Sequence, residues 1–258
     1  MSPRLGGLVA TALLTLLLAA CATASGGSGL TVFAAASLGP LMDELESAWL
    51  VEHTDLPLTV STGASSLLAA QISEGAEPDV FISADTLRPG ELSAAGLTAA
   101  QPRVLAHNRV VLVAPAADTR VTVPADLASP GTRIIGTVSA SPIAAYATST
   151  IAALAATMPD PAAFAAAVEA NIVSREDNVR SSLAKVELGE GDAGFVYHTD
   201  ALASTAVRTV PLPAGVGAIA DYGVVQVSDR ADAAAFVEWL ASPAAVAILE
   251  RAGFEVDT

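Results

Sequence analysis

From Leu30 onward, apolar residues fall into two kinds of segment that take turns along the chain: short unbroken runs, and longer stretches in which they return every three or four positions. Unbroken runs bounded by small or polar residues predict buried strands, and the three-to-four spacing predicts helices with one covered face. Leu30–Ala35 reads as a strand, Leu38–Glu52 as a helix with Leu41, Leu45, Ala48 and Trp49 along one side, and Leu58–Val60 as a second strand. Ser66–Glu74 follows as a helix, Val80–Ser83 as a buried strand and Arg88–Ala95 as another helix. Strands alternating with helices in this way predict a parallel α/β sheet.

At Arg109–Pro115 the texture changes to a long apolar strand closed by a proline and a loop. A second α/β stretch follows, with strand Arg133–Gly136, helices Ile143–Met158, Ala162–Asn171 and Val179–Leu188, and strand Ala193–Tyr197. Tyr222–Val227 is another apolar strand, and helices Ala231–Ala241 and Pro243–Ala252 close the chain. The economical arrangement uses the two long strands as crossovers between two lobes, with the last helices returning to the first. Two crossings form a hinge, and a hinge between two α/β lobes leaves a ligand cleft. The expected division is 30–112 for the first part of lobe 1, 113–222 for lobe 2 and 223–258 for the return. Alanine-rich runs need no functional explanation, since alanine is the best helix former.

Residues 1–20 stand outside this grammar. Arg4 provides a basic start, Leu8–Ala20 an apolar core, and Leu18-Ala19-Ala20-Cys21 places small residues before the chain's one cysteine. The pattern resembles a bacterial lipoprotein signal, with Cys21 lipidated as the mature N-terminus. The apolar core is about 13 residues, short of the roughly 20 that a membrane-spanning helix needs, so a cleaved export signal is expected. Residues 21–29 read as a flexible tether, and with one cysteine no intramolecular disulfide can form.

Composition adds limits. With 52% hydrophobic and 15% charged residues the chain is globular, and its net charge of −15, with Lys185 as its single lysine, excludes nucleic acid and anionic membrane surfaces as partners. Acidity of this size serves solubility.

Four loops share one chemistry. Ser37 ends the first strand ahead of a helix, Gly63-Ala64-Ser65-Ser66-Leu67 does the same after the second, and Ser139-Ala140-Ser141-Pro142-Ile143 and Asp177-Asn178-Val179-Arg180 precede helices of the second lobe. Each is an ordinary cap or turn taken alone. The second misses a Gly-x-Ser-x-Gly nucleophile elbow, because Leu67 stands at the last glycine. Tyr197, at a strand end, is by itself an ordinary half-buried aromatic. Together they fall at the strand ends where open α/β sheets bind ligands. A helix start offers unpaired amides and roughly +0.5 charge, so four of them oppose about two negative charges, which matches a small dianion.

Val32-Phe33-Ala34-Ala35-Ala36-Ser37-Leu38, Gly63-Ala64-Ser65-Ser66-Leu67, Gly75-Ala76-Glu77-Pro78-Asp79-Val80-Phe81-Ile82-Ser83-Ala84-Asp85, Asn178-Val179-Arg180 and Gly194-Phe195-Val196-Tyr197 together resemble the periplasmic molybdate-binding proteins of bacterial ABC transporters. The resemblance runs in order over nearly the whole chain after the signal. It implies a two-lobed periplasmic binding protein that holds a tetrahedral oxyanion, molybdate or tungstate, with no cofactor and no catalytic residue. The metal enters only as this oxyanion. It implies that Ser37 and Ser65 donate hydroxyl and amide hydrogens, that Ile143 and Val179 donate backbone amides, and that Tyr197 donates its phenol. Ala144 stands where the family usually has glycine. The implied partner is a membrane permease, the implied state a monomer, and the implied location the outer face of the cell membrane.

Alternatives stay open on the residues alone. A binding protein of the same architecture for sulfate, phosphate or an organic anion would use the same donors and differ only in cavity size. A secreted serine hydrolase would need His53, His107 or His198 as base beside Ser37 or Ser65. Asp85 is expected to cap the helix that follows it, Asp79 to sit in a turn or accept from a backbone amide, and Arg180 to be salt-bridged or at the surface.

Overall fold

The computed structural model describes residues 29–257; the expected export signal, Cys21 and most of the expected tether lie outside them. Lobe 1 begins with β1 (Leu30–Ala35), whose Leu30, Val32 and Ala34 are fully buried. A 3-10 turn over Ala36–Leu38 leads into α1 (Gly39–Glu52), followed by β2 (Leu58–Gly63), α2 (Ser65–Ser73), β3 (Val80–Ser83) and α3 (Leu87–Ala94). β4 (Arg103–Pro115) crosses to lobe 2, which holds β5 (Ile134–Thr137), α4 (Pro142–Ala155), α5 (Pro161–Ala170), β6 (Ile172–Glu176), α6 (Val179–Glu187), β7 (Ala193–Tyr197), α7 (His198–Leu202) and β8 (Val207–Val210). β9 (Ile219–Gln226) crosses back to α8 (Ala231–Trp239) and α9 (Pro243–Arg251).

The strands run in the order β2-β1-β3-β9-β4-β7-β5-β6, with β8 beside β4. Within each lobe the pairs β1–β2, β1–β3, β5–β6 and β5–β7 are parallel, as the alternation predicts. Both crossover strands run against their neighbours, so the sheet as a whole is mixed. β4 pairs with β9 over Arg103–Arg109 and with β7 over Val110–Val113, so one strand serves both lobes and its change of partner marks the hinge. The backbones come close there: a Cβ on Gly217 would lie 2.6 Å from the Val110 carbonyl oxygen, which only glycine avoids.

The C-terminal helices return to lobe 1, where Trp49 of α1 meets Phe236 and Trp239 edge-on at 5.2 and 5.6 Å between ring centroids. Burying such aromatic groups supplies much of the driving force that joins the return to the first lobe. Several elements depart from the sequence pattern. β4 starts six residues before the expected Arg109 because His107, Asn108 and Arg109 interrupt the apolar run but still ladder onto β9. β6 and β8 are short and lie off the apolar centre, and the five residues of α7 give too little periodicity to be seen. Among the described residues, no single helix is long and apolar enough to cross a membrane.

Candidate functional site

The strand ends of both lobes converge on a cavity of about 10 Å³ lined by Ser37, Ser65, Ile143, Val179 and Tyr197, with Ala35, Ala84, Ser141 and Asn178 among their neighbours. All five residues expected at an anion site therefore line one small space between the lobes. No Asp, Glu, Lys or Arg lines it.

Lobe 1 contributes hydroxyls. Ser37 sits inside the 3-10 turn that precedes α1, so it is not the simple helix cap that its sequence position suggests. Its Oγ lies 2.7 Å from the Tyr222 Oη, and both side chains are buried. Ser65 is the first residue of α2, and its Oγ accepts from the Ala84 backbone N–H at 3.0 Å. A hydroxyl that accepts from an amide keeps its own proton to donate, and here the proton is left for the cleft.

Lobe 2 contributes backbone. Pro142 opens α4 and carries no N–H, and the Ala144 N–H bonds the Ser141 carbonyl, which leaves the amide of Ile143 as the first available donor of that helix. At α6 the Asn178 side chain takes the amides of Arg180 and Ser181 at 2.9 and 3.1 Å, so the Val179 amide is the one that its cap leaves over. Both amides stand at helix starts, where the aligned peptide dipoles favour negative charge. Tyr197, at the end of β7, is 1% exposed, and its hydroxyl has no partner among the described residues. Burial pushes its pKa well above the ordinary phenol range, so the group stays protonated and can only be of use as a donor or an idle acceptor.

The charged residues singled out in the sequence are committed elsewhere. Arg180 faces Asp200 at 3.5 Å, and burial raises the Asp200 carboxyl to about 7 against the opposing pull of Arg180. Asp85 accepts from the Arg88 amide at the start of α3 and from the Ser83 hydroxyl, which is the expected capping role. Asp79 accepts from the Thr31 amide and from Ser228 and Arg230, tying β1 to the chain after β9. Arg88 reaches across the cleft to the Ala140 carbonyl at 3.4 Å and so links α3 to the loop before α4.

None of the histidines lines the cleft. His53 stacks on Trp49 at 3.5 Å, and His107 lies between Asp221 and Asp257 at the hinge. The hydrogen-bond partners of the Ser37 and Ser65 hydroxyls are Tyr222 and the Ala84 amide, and neither is an imidazole. Among the described residues no group of three or more His, Cys, Asp or Glu side chains gathers as metal ligands would. Sequence reasoning missed Tyr222. Its only signal is a hydroxyl-bearing residue inside an apolar strand, and its partner Ser37 is 185 positions away.

A family model described as bacterial extracellular solute-binding protein matches residues 30–255. The chain belongs to this solute-binding family. Its relatives include the molybdate-binding protein ModA of Mycobacterium tuberculosis H37Rv, 32% identical over 234 residues that cover 89% of this chain and 85% of the relative. Among solved structures, the periplasmic molybdate-binding protein of Azotobacter vinelandii superposes with a TM-score of 0.75 at 23% identity, covering 89% of this chain and all of that one. The sulfate-binding protein SubI of Mycobacterium tuberculosis H37Rv superposes with a TM-score of 0.76 at 20% identity, covering 89% and 87%. At those identities the superpositions show the two-lobed binding-protein fold, which this solute-binding chain shares with carriers of different anions.

Proposed function

We propose that this chain captures molybdate, and tungstate as well, outside the cytoplasmic membrane and delivers it to the permease of an ABC transporter. What supports the reading is the cleft itself: Ser37, Ser65, Ile143, Val179 and Tyr197, which can offer three hydroxyls and two backbone amides, line one space with no charged residue among the described residues of its wall. A fully deprotonated dianion only accepts hydrogen bonds, so a wall of donors suits it, and a protonated oxyanion would set donor against donor. Hydrogen bonds to a charged acceptor are about twice as strong as neutral ones and offset the desolvation of the ion.

Binding and release form and break no covalent bond, and no cofactor enters. The lobes rotate about β4 and β9, with the division at 30–112, 113–222 and 223–258, and the closed form presents the surface that the permease reads. Lipidation of Cys21 and the tether to Gly29 hold a monomer at the outer face of the membrane. The cavity of about 10 Å³ has room for about one water, so the lobes open to admit any of these ions; molybdate and tungstate are nearly the same size and sulfate is smaller, so a cleft that closes to the size of molybdate separates sulfate from the pair and not the pair from each other.

The test is thermal unfolding with molybdate, tungstate, sulfate and phosphate added separately. A ligand at 100 times its dissociation constant stabilises by about 2.7 kcal/mol, and about 1 kcal/mol moves a protein of this size by roughly 2–4 °C. Shifts with molybdate and tungstate alone support the reading. Larger shifts with sulfate or phosphate would keep the cleft and replace its ligand.

A further inference from the structure

We propose that Tyr222, which does not line the cleft, is a positioning residue that turns the Ser37 hydroxyl into a hydrogen-bond donor toward the bound anion. The inference rests on the oxyanion reading above and deepens it. Ser37 has one proton, and the anion has use for it only if the serine oxygen is satisfied from behind by another donor.

Tyr222 is placed to be that donor. It lies on β9, the returning crossover strand, fully buried, with its Oη 2.7 Å from Ser37 Oγ. Asn108, on the other crossover strand, donates its side-chain amide to Thr199 Oγ1 at 2.9 Å, and its Oδ1 has no hydrogen-bond partner among the described residues, so it does not take the Tyr222 proton. The consistent assignment has Tyr222 donate to Ser37 and Ser37 donate into the cleft. The reverse polarity would face four negative oxygens with serine lone pairs and leave the tyrosine proton without an acceptor.

Burial pushes the Tyr222 phenol well above its ordinary range, which keeps that proton in place. The ring is also held from both sides, edge-on to Tyr197 at 5.5 Å and to Phe254 at 5.1 Å. Tyr222 therefore touches a ligand-holding residue of each lobe while standing on the hinge between them. Hydrogen bonds in series polarise one another, so the last donor in the row gains from those behind it.

The experiment is a double-mutant cycle read by calorimetric titration of molybdate and tungstate into the wild type, Tyr222→Phe, Ser37→Ala and the double variant. The ring and its packing survive in Tyr222→Phe, and unfolding temperatures report whether the fold does. The expected result is about tenfold weaker binding for Tyr222→Phe and less than about a twofold further loss when Tyr222→Phe is added to Ser37→Ala. An unchanged dissociation constant, or the same loss in both backgrounds, overturns the assignment, because a general structural role would act whether or not Ser37 has a hydroxyl. Absence of binding by the wild type would instead overturn the oxyanion reading, and this inference with it. Should Tyr222→Phe fail to fold, 3-fluorotyrosine placed at position 222 keeps the hydroxyl: its fluorine resonance is expected to move on adding tungstate when Ser37 is present and not in Ser37→Ala. A resonance that moves equally in both, or in neither, overturns the proposal.

Discussion

In the proposed site the two walls of the cleft meet one anion with different parts. Lobe 1 presents the hydroxyls of Ser37 and Ser65, each braced from behind, by Tyr222 Oη at 2.7 Å and by the Ala84 amide at 3.0 Å. Lobe 2 presents the first free amides of α4 and α6, together with a Tyr197 hydroxyl that nothing else in the described protein engages. The first wall depends on side-chain identity. The second depends on where two helices start, and most of its side chains can change without removing a donor.

The sharpest way to break this comparison is to delete a lobe 2 donor while sparing its helix. Val179 is the first residue of α6, a position that tolerates proline, and Asn178 before it already has the extended backbone (φ −150°, ψ 170°) that a following proline favours. Val179→Pro is expected to weaken molybdate binding by about 10- to 150-fold, the worth of a hydrogen bond to a charged group. Val179→Ala keeps the amide and is expected to change affinity by less than about threefold, at a stability cost of about 1–2 kcal/mol for the buried methyl groups. Titration calorimetry on both variants checks the pair, and equal losses would mean that the side chain and not the amide matters.

Tyr197→Phe sharpens the same contrast from the unbraced side. Its hydroxyl is buried without a partner, so removing it is expected to leave the ligand-free protein as stable as before or slightly more so, while affinity falls about tenfold or more. Denaturant midpoints with and without molybdate separate the two effects. A loss of ligand-free stability would show that the hydroxyl has a structural partner after all.

The smallest effect concerns pH and the ion pair behind lobe 2. Asp200 has a folded pKa of about 7, raised by burial, against an unfolded value of 3.8. The folded state binds the proton more tightly, so its contribution to stability is fully present below 3.8 and is lost as pH rises through about 7. Asp200→Asn is therefore expected to gain stability relative to the wild type between pH 5 and about pH 8, as read by urea unfolding at the two values. A constant difference would mean that Arg180 offsets the desolvation of the carboxylate in full.

How far the chain could be read from its sequence follows from the range of the forces involved. Strands β1, β3 and β7 carry unbroken apolar runs because they are covered on both faces, and their bounds match the pattern residue for residue. That Ser37, Ser65, Ile143, Val179 and Tyr197 line one cavity was expected from the family resemblance, and the helix starts that carry most of them were legible because loops that start helices use Ser, Asn and Pro for reasons that act within three or four residues. The crossovers were visible as long apolar strands, and their antiparallel pairing was not, since neither spacing nor composition records direction. Tyr222 was illegible as a site residue for a related reason. It is a polar group inside an apolar strand, and its meaning comes from a partner 185 positions away.

The sequence by itself thus determined most of the elements and the Ser, Asn and Pro residues at the helix starts that line the cleft, because propensity, capping and proline chemistry are local. Tertiary structure alone decided which donors share a space, how each hydroxyl is oriented and which residue stands behind Ser37. Those depend on hydrogen bonds and packing between segments that are brought together only when the two lobes fold around their common hinge.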